Sequence, residues 1–228
     1  KERKNKLKRI LKIVLIHLLI VSFIFVFYIT QSYVFKNLEI KGNTNLSKSY
    51  IENKLEINSN SLLNFGPLIL KEMEKDPMIK NINLNASNLL EMTLNIEEYE
   101  VVATLEDAKS WVLENGQVIQ GDHGINDVPV LYGFSGDSLI ELATTLASLD
   151  HKTLLYMSQI IRNPQSYDEN YTKVFMQGGI QINTSFNGYA ILDQYEAILK
   201  ALNPLHQCLS IDEYTLVPYS YPCTLESE

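Results

Sequence analysis

The sequence predicts an α+β protein: an N-terminal transmembrane helix, then a small β-α-α-β-β domain, then a mixed β-rich domain with two helices. Three observations carry this. An uncharged apolar run follows a strongly basic N-terminus. Behind it, one alternating stretch, two helix-like segments and two further alternating stretches succeed one another before residue 98. From residue 101 onward, short alternating runs are broken by turn residues and by two segments whose apolar residues recur at helical spacing.

Charge identifies the first element. The 228-residue chain carries a net charge of −8, yet residues 1–12 hold seven basic residues against Glu2 alone, a local +6 that leaves −14 for the remainder. No charged residue occurs between Lys12 and Lys36, and residues 13–29 read IVLIHLLIVSFIFVFYI. A helix rises about 1.5 Å per residue, so roughly 20 residues cross a bilayer. Such a helix satisfies its own backbone polar groups, as lipid requires. The positive-inside rule then places residues 1–12 in the cytoplasm and residues 13–35 in the membrane, with the bulk of the chain outside: a single-pass type II topology. Tyr28, Tyr33 and Phe35 fall at the far interface, where an aromatic belt is expected. A cleaved signal peptide has an apolar region of about 7–15 residues ending in a small-x-small site, and this run is longer and offers only Thr30-x-Ser32. Attraction to anionic membrane lipid accounts for the basic tail without nucleic acid. His17, inside the run, reads as a neutral groove residue or a contact with a partner helix rather than a proton relay.

In residues 33–43, Val34, Leu38 and Ile40 end in Gly42-Asn43, a strand closed by a turn. Ser47 caps a helix with Ile51 and Leu55 on one face, and Leu46 and Ile51 form a hydrophobic staple. Residues 58–66 read as loop. Pro67 opens a second helix, with Ile69 and Met73 inward, that stops at Asp76-Pro77. Ile82, Leu84 and Ala86 alternate with polar residues, as do Leu90, Met92, Leu94 and Ile96, with a turn expected over residues 86–89. A small sheet with both helices on one face buries this pattern.

These residues resemble a POTRA domain, and its place behind a membrane anchor resembles the cell-division proteins of the FtsQ/DivIB family. The matching pieces are LEIKGN at residues 38–43, DPMI at residues 76–79 and LEMTLNIE at residues 90–97. The resemblance continues through VVATL at residues 101–105, where the family's usual proline is absent. It includes residues 110–119, two strands around Asn115-Gly116, and VPVLYG at residues 128–133. Asp137 is expected to cap a helix with Leu139, Leu142, Leu146 and Leu149 on one face. Residues 154–163 and 172–178 read as strands, with Gly178-Gly179 as a hairpin turn or bulge. Asn187-Gly188 opens a helix with Ile191, Tyr195, Ile198 and Leu202 inward, broken at Asn203-Pro204. A final strand is expected over residues 211–219, where YTLVPY resembles the family's closing stretch. The domains implied are a POTRA-like domain at residues 36–99, an FtsQ/DivIB-type β-domain at 100–220 and a C-terminal tail at 221–228.

No catalytic constellation emerges. His123, His151 and His206 have no His or Cys partner at helix-borne metal spacing, and Cys208, two residues from His206, lacks a second cluster. No nucleophile elbow, phosphate loop or dinucleotide fingerprint occurs. Glu97, Glu98 and Glu100 form either a solvated acidic patch or, less readily, an ion site. The acidity of the extracytoplasmic part argues against nucleic acid there. The two cysteines, Cys208 and Cys223, read equally as a single bridge or as unpaired core residues.

Binding remains. Ile211, Tyr214, Thr215, Leu216, Val217 and Tyr219 are the candidate partner-binding residues, on a last strand that either closes the core or adds a partner's strand at a sheet edge. Tyr167 and Tyr171 mark a second surface. The family resemblance tips this toward an interface. It implies a non-enzymatic, cofactor-free scaffold at the division septum, with FtsB/DivIC-like and FtsL-like coiled-coil partners and other division proteins docking on the POTRA-like domain. Alternatives are a peptidoglycan-acting envelope enzyme with an unrecognised site, or a POTRA-bearing polypeptide-transport component.

Overall fold

The computed structural model describes residues 2–36, 38–55, 70–71, 73–88, 91–107, 109–121, 127–203 and 205–223. The chain divides into two compact units, Lys1–Glu98 and Tyr99–Glu228.

The first unit begins with α1 (Glu2–Lys36), a continuous helix. It runs through the basic tail as well as the apolar run because no Gly or Pro interrupts either. Its membrane-compatible window is Lys8–Phe27, with a mean hydropathy of 2.8. The apolar side chains from Ile10 to Phe27 are exposed, as positions facing lipid must be. His17 Nδ1 lies 2.8 Å from the carbonyl oxygen of Ile13, so the ring has a hydrogen-bond partner one turn back in its own helix.

The unit's sheet has the order β1-β3-β2: β1 (Leu38–Lys41) is parallel to β3 (Glu91–Glu98), which is antiparallel to β2 (Ile79–Asn88). Between β1 and β2 lies α2 (Lys48–Lys54), capped as expected, with the Tyr50 N–H donating to Ser47 Oγ at 3.1 Å. Residues 70, 71 and 73 are helical; Pro67, Ile69 and the loop at residues 58–66 lie outside the described residues. Ile51, Leu55, Met73, Ile79, Ile82, Leu94 and Ile96 form the core, with Leu46 packed against it as the staple requires. The expected turn over residues 86–89 is corrected: β2 continues, Ala86 pairing with Met92 and Asn88 with Glu91. The alternation simply persists into the turn region, and only residues 89 and 90, outside the described set, separate the strands.

Glu98 has a role that its acidic neighbourhood concealed. Its carboxylate accepts hydrogen bonds from the N–H groups of Thr44, Asn45 and Leu46 and from the Thr44 hydroxyl, at 2.7–3.1 Å. One charged group thereby holds the loop that delivers the chain to the α2 cap. Gly42, at φ +83, makes the preceding turn possible, since a Cβ there would stand 2.2 Å from the Ile96 carbonyl oxygen. Glu98→Ala is expected to destabilise this unit by about 2 kcal/mol. Hydrogen exchange checks it: the amides of residues 44–46 should lose protection before those of β3.

The second unit is built on a nine-stranded sheet of order β12-β11-β10-β9-β8-β7-β4-β5-β6. In chain order these are β4 (Val101–Leu105), β5 (Ser110–Leu113), β6 (Val118–Gln120), β7 (Val130–Tyr132), β8 (Met157–Arg162), β9 (Thr172–Met176), β10 (Gln181–Thr184), β11 (Cys208–Ile211) and β12 (Pro218–Tyr221). Between β7 and β8 lie α3 (Asp137–Ala147) and α4 (His151–Tyr156); between β10 and β11 lie a 3-10 helix (Phe186–Gln194) and α5 (Tyr195–Ala201). The β7–β8 and β10–β11 pairs are parallel, as connections carrying helices permit. Leu139, Leu142, Leu146 and Leu149 are buried together, the face that the spacing predicts. They pack with Val102, Leu131, Ile160, Val174 and Ile182 from the sheet. Tyr189, also fully buried, is tied to Thr172 by a 3.1 Å hydroxyl contact, and burial raises its phenol pKa.

Three sequence expectations are corrected in this unit. Gly136, not Asp137, holds the N-cap of α3; Asp137 is the first helical residue, where its charge meets the positive end of the helix. Leu154 to Tyr156 belong to α4, because the Asp150 carbonyl accepts the N–H groups of Thr153 and Leu154 and starts a turn of helix before β8. Asn187-Gly188 sits inside the 3-10 helix rather than opening an α-helix. Gly188 serves close packing there, since a Cβ would fall 1.9 Å from Thr184 Oγ1.

Candidate partner-binding surface

The last six candidate positions do not form one strand. Ile211 ends β11, the chain reverses over residues 212–217, and Tyr219 lies in β12, antiparallel to β11 with Ser210 opposite Tyr219. Asp212 causes the reversal. Its Oδ1 accepts the N–H groups of Tyr214 (3.1 Å) and Thr215 (2.8 Å) and the Thr215 hydroxyl (2.9 Å), while its carbonyl accepts the Leu216 N–H. The Thr215 N–H and hydroxyl bonds hold the Asp212 carboxyl below the usual carboxylate range. Leu216 completes the turn at φ +54, an unusual conformation for a side chain with a Cβ. An apolar alternation read over residues 211–219 overlooks this Asx turn, because Asp212 occupies a polar position of the pattern.

The correction redistributes the candidates. Ile211 is buried in the core and is not available to a partner. Tyr214, Val217 and Tyr219 are 86%, 59% and 58% exposed, so they are the positions a partner can touch. Thr215 is committed to Asp212, and Leu216 is half-buried. β12 ends the strand order, and its only sheet neighbour among the described residues is β11. The Cys208–Cys223 pair is bridged, joining β11 to the segment after β12 and fastening the edge strand.

The second candidate surface joins the first. Tyr167 and Tyr171, in the β8–β9 connection, meet edge to face with ring centroids 6.1 Å apart. A pocket of about 280 Å³ is lined by both rings and by Tyr214 and Tyr219. Sequence reasoning treated these as separate features; only the sheet order, which sets β9, β10, β11 and β12 side by side, brings them together.

Other candidate groups are engaged elsewhere. Glu97 lies 3.7 Å from Lys80, and Glu100 lies 3.5 Å from His151. His206 Nδ1 is 2.9 Å from Ser220 Oγ, while Cys208 is in the disulfide, so the two do not converge as ligands. His123 lies outside the described residues.

Similar proteins agree with the sequence resemblance. The cell-division protein DivIB of Bacillus subtilis is 28% identical over 211 residues, covering 89% of this chain and 80% of that one. DivIB of Erysipelothrix rhusiopathiae is 27% identical over 224 residues, covering 93% and 83%. The chain is similar to DivIB over most of its length. DivIB of Staphylococcus aureus strain MRSA252 is 25% identical over 152 residues, and the chain spans about a third (34%) of that protein's length. The solved extracytoplasmic domain of the trans isomer of Geobacillus stearothermophilus DivIB is 29% identical, covering 46% of this chain and 95% of that one, with a TM-score of 0.40. No family model matches. The chain combines an apolar helix long enough to span a bilayer with a β-rich unit behind it. The candidate surface sits at one end of that β-rich unit's sheet.

Proposed function

We propose that this DivIB-like chain is a non-enzymatic, bitopic scaffold of the division septum that binds small coiled-coil division proteins of the FtsB/DivIC and FtsL types. The observation that carries the reading is the β11–β12 hairpin. It presents an edge strand with exposed Tyr214, Val217 and Tyr219, fastened by a disulfide and a side-chain-capped turn. An edge strand offers unpaired N–H and C=O groups to an extended segment, and tyrosines add contact area at low entropic cost. The names of the DivIB relatives support the cellular role. The +6 tail supports a cytoplasmic N-terminus. In this reading residues 36–99 act as a POTRA-like docking domain and residues 100–220 as the partner-binding domain. Membrane anchorage confines all components to one plane and raises their effective concentration.

Co-purification of the full chain, in detergent, with each bitopic partner tests this. A stable complex is expected, and Tyr214→Ala with Tyr219→Ala should weaken it by at least about 2 kcal/mol, as loss of central aromatic contacts does. Both side chains are largely exposed, so the fold should persist. Absence of any complex at high micromolar concentration would sink the scaffold reading. An unchanged affinity in the folded double variant would move the interface off this hairpin.

A further inference from the structure

The tyrosine-lined pocket has chemistry that specifies its occupant more closely than an exposed edge strand does. Its lining includes Tyr167, Tyr171, Tyr214 and Tyr219, the carboxylates of Asp168, Asp212 and Glu213, and no Lys, Arg or His. Two polar atoms of the lining residues are buried without a hydrogen-bond partner: Asp168 Oδ2 and Ser185 Oγ. Ser185 is only 3% exposed. Asp168 Oδ1, by contrast, accepts the Asn170 N–H at 2.8 Å, so the carboxylate is fixed at one oxygen while the other goes unserved. Buried polar atoms in folded proteins are ordinarily paired, and an unpaired carboxylate oxygen is among the costliest exceptions.

We infer that this pocket receives an arginine side chain from a polypeptide partner. The inference rests on the scaffold reading above for the existence of such a partner, and adds the residue type that the partner must present. A guanidinium is planar, permanently charged and carries five N–H donors; it stacks on tyrosine faces while donating to a carboxylate and a hydroxyl in the same plane. Three acidic residues, in a lining that contains no Lys, Arg or His, supply the complementary field. A lysine ammonium meets the charge but neither the stacking nor the planar donor pattern. A polypeptide source follows from position. Tyr219 belongs both to the pocket lining and to the edge strand β12, so an extended chain laid along that edge carries a side chain past the pocket mouth.

The test uses the full chain in lipid nanodiscs with isotope-labelled tyrosine rings, each resonance assigned by its Tyr→Phe variant. Three capped tripeptides serve as probes: Gly-Arg-Gly, Gly-Lys-Gly, and Gly-citrulline-Gly, the last matching arginine in shape without its charge. The arginine probe should shift the Tyr167, Tyr171, Tyr214 and Tyr219 signals saturably, the citrulline probe should bind about tenfold more weakly or worse, and Asp168→Asn should remove that difference. Equal binding of arginine and citrulline, shifts confined to other tyrosines, or no shifts at tens of millimolar would each overturn the inference. The partner proteins supply the second arm. A partner that binds the wild type but binds Asp168→Asn equally well overturns the pocket inference and leaves the scaffold reading standing. Selective arginine binding with no partner complex supports the pocket and sinks the scaffold reading.

Discussion

Replacing Cys208 and Cys223 together by serine is expected to lower the stability of the second unit by about 3 kcal/mol, the loss associated with opening a loop of this size. The bridge spans 15 residues and closes over the β11–β12 hairpin. The effect should be concentrated there. β12 has one neighbouring strand, its side chains are half-buried or exposed, and beyond the pairing with β11 it is held by the Asp212 turn, by the Asn183 amide donating to the Tyr221 hydroxyl and by the contact of His206 with Ser220. Under reductant, amides at residues 219–221 should therefore lose protection strongly, while those of β8 and β9, at the centre of the sheet, change little. Urea unfolding of the double variant reads the stability, and hydrogen exchange reads its location. Partner affinity should fall in parallel, because a frayed edge strand must be ordered again on binding. A stability loss below about 1 kcal/mol with unchanged protection would mean that turn and ladder hold the edge without the bridge.

How much of this was legible in the sequence depended on the range over which each interaction acts. The α3 face of Leu139, Leu142, Leu146 and Leu149 reads directly from helical spacing, and the Ser47 cap with its Leu46–Ile51 staple reads from adjacent residues. Both are local physics. The misreadings fall where a hydrogen-bonded turn overrides an apolar pattern. The Asp212 carboxylate folds an apparently continuous strand into a hairpin, and the Asp150 carbonyl starts a helical turn that runs into an apparent strand. Those two signals were present, since aspartate is a turn and helix-start residue, but periodicity alone does not weigh them. The Glu98 contacts with residues 44–46 bridge more than fifty positions, and no local rule finds them. The same holds for the candidate site. Its tyrosines were visible as separate aromatic segments, yet the pocket exists only because β9 through β12 lie side by side.

Asp76→Ala is expected to destabilise the first unit by about 3 kcal/mol, since removing a buried, hydrogen-bonded charge strands its partners. The aspartate is 5% exposed. Its Oδ2 accepts the Tyr50 hydroxyl at 2.6 Å and the Lys54 ammonium, and its Oδ1 accepts the Met78 N–H at 3.1 Å. It thereby ties α2 to the start of β2, an attachment reinforced by the Ile79 N–H on the Asp76 carbonyl. The Lys54 side chain is one-third exposed (33%) and can turn toward water when its partner is lost, which keeps the cost moderate. The network also carries a pH dependence of definite sign. Burial acts to raise the Asp76 pKa, but the hydrogen bonds from Lys54, Tyr50 and the Met78 amide outweigh it and hold the carboxyl below its ordinary value. The folded chain thus binds this proton more weakly than the unfolded chain. The contribution is fully present above the ordinary aspartate range and is lost as pH falls through that range toward the depressed value. Hydrogen exchange of the Ile51, Ile82 and Leu94 amides, followed from neutral pH into acid, measures it. Wild type should lose protection as the solution is acidified, and Asp76→Asn should lose less, so that the two converge at low pH. Parallel profiles would show that Asp76 contributes no acid-linked stability, and that packing of Ile51, Leu55 and Met73 alone fastens α2 to the sheet.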